Sequence, residues 1–224
     1  MFSDLEKKVF GDGYDVVAGI DEAGRGALAG PVVAAAVAVK KDALEKISFG
    51  ETSKFITDSK QLSEKRREEV FDVIIKNPNI EWKVSFIHSA IIDKVNIWQA
   101  TLAAWKGCLK KLDCQPNFLF LDGNFYLDGS FCRCSEPALN HGLTQMPIIG
   151  ADRKIFLVSL ASIIAKVSRD RLMRKFHKEY PQYEFARHKG YGTKMHIEKL
   201  KEFGSCLIHR KSFKPVNSCL TRRG

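Results

Sequence analysis

Hydrophobic residues fall along this chain in runs whose period changes from one segment to the next. Val16 to Asp21 (VVAGID) is an apolar run closing on an acid. It reads as a buried strand entering the polar, glycine-rich turn Glu22-Ala-Gly-Arg-Gly26. Val32 to Val39 (VVAAAVAV) is a second such strand, bounded by Pro31 and Lys40. Ser63 stands as the N-cap of a helix whose inward stripe is Val70, Phe71, Ile74 and Ile75, with Pro78 beyond its end. Ile80, Trp82, Val84 and Phe86 then alternate with Glu81, Lys83 and Ser85, the period-2 pattern of a half-exposed strand. Ile97, Thr101, Ala104, Trp105, Cys108 and Leu112 recur at helical spacing, and Phe118 to Leu121 predicts a short buried strand leading into Asp122-Gly123.

From Asn124 to Gln145 no period is visible, which predicts a loop or a short hairpin. Met146 to Gly150 fits a final strand, followed at once by Asp152 and a helix from about Ile155 to Lys178 that Tyr180-Pro181 stops. A basic, glycine-punctuated stretch and a short helix around Thr193–Phe203 come last. Strands first, then alternating helices and strands, predict an α/β fold with a mixed sheet covered by helices. No repeat or linker interrupts the pattern, so residues 1–224 are read as one domain with a basic, helical C-terminal portion from about 180 to 224.

Composition narrows the class. With 45% apolar and 28% charged residues, disorder and coiled coil are excluded. The longest uncharged apolar stretch, Gly26 to Val39, is broken by Pro31 and too short to span a bilayer. Met1 to Phe10 lacks an apolar signal core, so a soluble, cytoplasmic protein, read as a monomer, is expected. The net charge of +10 is one-sided: residues 1–151 hold 18 Lys and Arg against 20 Asp and Glu, whereas residues 152–224 hold 18 against 6. Such a field favours a polyanion, with nucleic acid ahead of an acidic membrane. Of the six cysteines only Cys132 and Cys134 are close, and their one-residue gap completes no zinc set.

The chemistry lies in acids that follow apolar runs. Asp21 and Glu22 end the first strand, Asp122 ends FLFL, and Asp152 follows PIIGA. Half-buried carboxylates are costly unless paired or metal-bound. Taken singly, each reads as a helix cap or a loop residue; four converging at one sheet edge beside a basic face call for one or two divalent cations. Oxygen donors without nearby His or Cys suit Mg²⁺ or Mn²⁺ rather than zinc. Because strand neighbours face opposite ways, Asp21 and Glu22 sharing a site predicts a break in the pleat near Gly24 and Gly26. A rival reading comes from Gly24-Arg-Gly-Ala-Leu-Ala29, which matches a G-x-G-x-x-A dinucleotide fingerprint. That motif needs a helix next, and here Gly30-Pro31 and a β-branched run follow.

Ile20-Asp-Glu-Ala-Gly-Arg-Gly26 with Leu28-Ala-Gly-Pro-Val-Val33 resembles the N-terminal signature of the ribonuclease HII family. The resemblance continues through Asp58-Ser-Lys60, Leu121-Asp122-Gly123, Asp152-Arg-Lys154, Ser159 to Arg171 (SLASIIAKVSRDR), His188-Lys-Gly-Tyr-Gly-Thr193, His209-Arg210, Ser212-Phe213 and Pro215-Val216, in family order. Ala27 stands where proline is usual, and Leu157-Val-Ser-Leu160 varies a more alanine-rich pattern. The likeness implies a ribonuclease H-like mixed five-stranded sheet flanked by helices. It implies cleavage of the RNA strand of RNA–DNA hybrids, and of DNA duplex on the 5′ side of embedded ribonucleotides, leaving 5′-phosphate and 3′-hydroxyl by two-metal hydrolysis. By motif position, Asp21, Glu22, Asp122 and Asp152 match the metal-binding catalytic carboxylates. Gly24, Arg25 and Gly26 match the element that senses the ribose 2′-hydroxyl, and Tyr191 the ring that packs on the sugar at the ribonucleotide–DNA junction.

Further substrate contacts are read from position. Ser159, Ser162, Lys166 and Arg169 share a narrow polar stripe on an otherwise apolar helix. Lys166 and Arg169 either meet substrate phosphates or pair with internal acids, while serines in such a helix satisfy backbone carbonyls. Lys60 either reaches phosphate or pairs with the site's acids. His209 and Arg210 fit a structural ion-pair role.

Overall fold

The computed structural model describes residues 1–56, 62–130, 138–140 and 142–220. Lys60, Asp58, Cys132 and Cys134 lie outside the described residues. The strands are β1 (Val16–Ala23), β2 (Val32–Lys40), β3 (Glu81–Ile87), β4 (Phe118–Asp122), β5 (Ala138–Asn140) and β6 (Leu143–Ile148). The helices are α1 (Asp4–Gly11), α2 (Ser53–Ile56), α3 (Glu64–Ile75), α4 (Ser89–Leu109), α5 (Phe156–Glu179), α6 (Phe185–His188), α7 (Lys194–Phe203) and α8 (Val216–Leu220). The sheet order is β3-β2-β1-β4-β6-β5. β1–β2 and β2–β3 are antiparallel, and β1–β4 and β4–β6 are parallel. The expected five-stranded mixed sheet is therefore present, and the three-residue β5 extends it as an antiparallel hairpin with β6.

Both faces of the sheet are covered. Val17, Phe118 and Phe120 pack with Phe156, Leu157, Leu160 and Ile164 of α5 on one side. Ala18, Ile20, Leu119 and Leu121 pack with Leu102, Trp105 and Cys108 of α4 on the other. Gly19 is what lets α5 lie so close to β1, since a Cβ there would stand 2.5 Å from the backbone of Leu157 and Val158. β3 is half-exposed as expected, with one departure at Ser85. Trp82 and Val84 pack toward the α5 layer, while Ser85, on the supposed solvent face, is buried.

Two helix features were not visible in the period of the sequence. Helix α4 is broken at Asn96 (φ 68°, ψ 166°), whose side-chain oxygen accepts a 3.0 Å bond from the Gln99 amide and so starts the helix afresh. Helix α1 opens with a capping box, Ser3 to Glu6, a signal the sequence does contain. Glu6 does more than cap its own helix. It is buried, and its carboxylate also accepts from the amides of Phe156 (3.0 Å) and Leu157 (2.9 Å), the orphan donors at the start of α5. Burial pushes its pKa up even against these bonds. Every partner is a donor, so a glutamine side chain at this position would face them with its own N–H groups. Glu6→Gln should cost about 2 kcal/mol, lowering Tm by roughly 4–8 °C in a thermal melt; an unchanged Tm would contradict this account.

Candidate active site

β1 and β4 run parallel side by side, Ile20 beside Leu121, so Asp21 and Asp122 leave the sheet at the same edge. The pleat does not break there. β1 keeps unbroken register with β2 through Asp21–Ala35 and Glu22–Ala34, which corrects the expectation of a disrupted pleat. Asp21 faces α5, where the Ser162 side chain hydrogen-bonds to it. Glu22 faces α4, where the Trp105 indole donates a 3.0 Å bond to its Oε2. The two carboxylates reach one cleft from opposite faces because β1 loses its pairing with β4 after Ile20–Leu121 while it runs on beside β2 to Ala23–Val33.

That cleft has a volume of about 420 Å³ and is walled by Asp21, Glu22, Asp122, the Ala23–Gly26 turn, Arg67, Ser162, Ile163, Lys166 and Tyr191. Burial, then the charges of Glu22 and Asp122, raise the Asp21 pKa well above the usual carboxylate range. Glu22 is raised as well, chiefly by burial, with Arg25 opposing. Asp122 Oδ1 accepts a 2.7 Å bond from the amide of Ala151. Asp152 is the next residue, buried at 1% exposure in the short 3₁₀ turn Ala151–Arg153, and is not part of the cleft wall. Among the described residues, no three His, Cys, Asp or Glu side chains close tightly enough around one point to hold an ion as they stand. Glu22 is drawn aside by Arg25 Nη1 (3.2 Å) and Trp105, and Asp21 Oδ1 accepts from the Glu22 amide at 2.7 Å. The donor set nevertheless fits a hard divalent cation: it is all carboxylate, and its members repel one another until positive charge enters.

The glycine turn is held from below by two fully buried arginines. Arg169 donates to the carbonyls of Pro31 (3.0 Å), Lys189 (2.8 Å) and Ala29 (3.1 Å). Arg210 donates to those of Gly24 (2.7 Å), Arg25 (2.8 Å) and Gly30 (3.0 Å). Burial and the Arg169 charge push Arg210 down to about 9. Gly24 is required here, since its φ is +94° and a Cβ would lie 2.0 Å from Arg169 Nε. After Gly26 the chain enters extended β2 rather than a helix, which removes the dinucleotide-fingerprint reading.

Arg169 therefore does not face the cleft, which corrects its assignment as a substrate contact. A polar residue on a covered helix finds buried carbonyls instead. Arg210 likewise serves carbonyls rather than an ion pair. Of the same stripe, Ser159 donates to the carbonyls of Ile155 and Asp152, while Lys166 lines the cleft and pairs with Asp170 at 2.7 Å. Tyr191 meets the glycine turn through a bridge to Ala27, beside the bond from the Leu28 amide to the Gly190 carbonyl (2.8 Å). Its ring lies 5.1 Å from the Arg169 guanidinium and 5.7 Å from Lys166 Nζ. Arg67 and the role of Trp105 were missed from the sequence, while Ser162, placed on the polar stripe and read as satisfying a backbone carbonyl, meets Asp21. Part of the basic third is neutralised internally: Arg171, Arg174 and Lys189 pair with Glu64, Glu68 and Asp72 of α3.

The sequence pattern of the family described as Ribonuclease HII matches residues 18–216. The Ribonuclease HII of Endomicrobium trichonymphae is 44% identical over 227 residues, spanning 99% of this chain and 98% of that one. Among solved structures, the ribonuclease H2 from Pyrococcus horikoshii OT3 shares 26% identity at a TM-score of 0.73, covering 92% of this chain and 98% of its own. A Bst-RNase HIII solved in complex with Mn²⁺ shares the fold at a TM-score of 0.66 and 15% identity, over 92% of this chain and 70% of that one. No helix among the described residues is long and apolar enough to cross a membrane.

Proposed function

The chain belongs to the ribonuclease HII family, a metal-dependent endonuclease acting on the RNA of RNA–DNA hybrids, and from this we propose that it also cuts duplex DNA on the 5′ side of a single embedded ribonucleotide. The products are a 5′-phosphate and a 3′-hydroxyl. One observation carries the reading: Asp21, Glu22 and Asp122 share a cleft whose rim is the Gly24–Gly26 turn docked on Tyr191. Asp21, Glu22 and Asp122, with Asp152 beside them, are the residues that would hold Mg²⁺ or Mn²⁺, two ions in the reacting complex. Bound cations supply charge relief on the phosphoryl oxygens and an activated water.

The chain's own groups do the rest. The Gly24–Gly26 backbone, bare of side chains at both ends, allows a ribose 2′-hydroxyl close approach. Tyr191 offers a flat face for the neighbouring sugar, and the cations beside it keep that ring at the cleft. Lys166, Arg25 and Arg67 lie where strand phosphates pass. Lys60 is kept as a phosphate contact on its motif position alone. Phosphate and 2′-hydroxyl contacts carry no base identity, so cleavage is independent of sequence. Residues 1–224 act as one catalytic unit in this reading, a cytoplasmic monomer whose portion from about 180 to 224 helps grip the duplex.

The test is cleavage of a DNA duplex carrying one ribonucleotide, with Mg²⁺, Mn²⁺ or chelator. A cut 5′ to the ribonucleotide, lost in chelator, is expected; cleavage confined to long hybrids would overturn the proposal. Duplex binding should also weaken with salt. With Arg171, Arg174 and Lys189 committed internally, about four phosphate contacts predict roughly a hundredfold loss between about 50 and 200 mM salt. A salt-insensitive Kd would remove the basic portion from the interface.

A further inference from the structure

Trp105 sits at 1% exposure in the layer between α4 and β1. A buried indole N–H needs an acceptor, and core packing alone would have offered it a carbonyl. It donates instead to Glu22 Oε2 at 3.0 Å, a charge-assisted bond to a group in the cleft. The other oxygen, Oε1, meets Arg25, whose side chain is 48% exposed and able to turn toward solvent or substrate. Seven residues earlier on the same helix, Trp98 meets Trp105 edge-on (6.5 Å between centroids, 77°) and lies 5.6 Å from the Arg25 guanidinium. Both tryptophans follow the break at Asn96, so one continuous helical segment carries them.

We infer that Trp105 is a positioning residue for this reaction: it anchors Glu22 by Oε2, leaving Oε1 as the oxygen presented to the cation, while Trp98 supports the arginine that Oε1 releases. This rests on the reading of Glu22 as a cation ligand. Removing an outer partner of a metal ligand costs metal affinity more than substrate affinity. Packing alone would show the reverse signature, a stability change with metal binding untouched.

The experiment compares wild type with Trp105→Phe, which keeps an aromatic ring and deletes the N–H. Mn²⁺ binding to the free protein is measured by calorimetry, alongside the Mg²⁺ dependence of cleavage and the KM for the duplex. The expected result is a Kd for Mn²⁺ about tenfold weaker, the same shift in half-saturating Mg²⁺, and an unchanged duplex KM. An unchanged Kd in a folded variant overturns the inference. Should Trp105→Phe fail to fold, wild type labelled with ¹⁵N-tryptophan serves in its place. One of its three indole N–H signals must then move on Mg²⁺ addition, and the inference is overturned if none does. Glu22→Gln separates the two levels. If that variant binds Mn²⁺ and cleaves as wild type does, the ligand reading itself fails. If it loses both while Trp105→Phe loses neither, only the role of Trp105 falls.

Discussion

Asp21→Asn should reduce metal-dependent cleavage by roughly a thousandfold or more, about 4 kcal/mol of transition-state stabilisation, while making the metal-free protein more stable. The two effects have one cause. Asp21 is buried against Glu22 and Asp122, and its raised pKa shows that its ionised form is held at a cost in the absence of a cation. Asparagine has the same shape and can still meet Ser162, but it carries no charge to repel its neighbours or to bind a metal. The folded pKa lies above the unfolded one, so the penalty applies above the unfolded value and grows with pH until the folded carboxyl ionises. In chelator near pH 8, then, the variant should melt higher than wild type, and the gain in Tm that Mg²⁺ gives wild type should vanish. Wild-type cleavage rates, or a variant less stable in chelator, would show that Asp21 is an ordinary structural acid.

That balance also explains which parts of the site could be read from the sequence. The acids were legible because a carboxylate closing an apolar run is conspicuous, and β1 and β4 are short enough for their ends to mark one edge. Their mode of convergence was not. Strand alternation led to the expectation of a broken pleat, whereas β1 continues unbroken against β2 and only its pairing with β4 stops, so Asp21 and Glu22 address the cleft from the two faces of the sheet. Periodicity placed Ser159, Ser162, Lys166 and Arg169 on one stripe correctly but could not say what that stripe meets. Two of its members turned to buried carbonyls and two to the cleft. Trp105 was read as core, which it is; its bond to a residue 83 positions away is a tertiary fact with no local signal. The break in α4 at Asn96 was equally hidden, since the apolar spacing resumes after it.

A second large effect should appear on mild acidification, in a part of the fold away from the carboxylates. His188 and His196 stack at 4.3 Å, and His196 Nε2 lies 3.1 Å from His209 Nε2. The remaining ring nitrogens are engaged: His196 Nδ1 with the Tyr191 carbonyl, His209 Nδ1 with Cys206, and His188 with the Tyr183 carbonyl and the Gly190 amide. The charged groups acting on them are Glu184, Arg187 and Lys189, all through His188. Burial, then the neighbouring rings, pushes His196 down to about 4 and His209 down to about 3. For a base whose folded pKa is depressed, stability is complete above the unfolded value near 6.5 and declines as pH falls toward the folded value, because only the unfolded chain takes up the proton. Two rings kept neutral would make that loss roughly 3 kcal/mol between pH 6.5 and pH 5. Carboxylates that titrate in the opposite sense are common to any variant, so the comparison is with His196→Gln, His209→Gln. Urea midpoints should fall more steeply for wild type than for this double variant over that interval, and parallel curves would refute the account. The cluster holds the carbonyl of Tyr191 and the amide of Gly190 directly. Because the folded chain keeps both rings neutral at pH 5.5, the loop that meets the glycine turn keeps its support there, and duplex affinity should fall only as the protein unfolds.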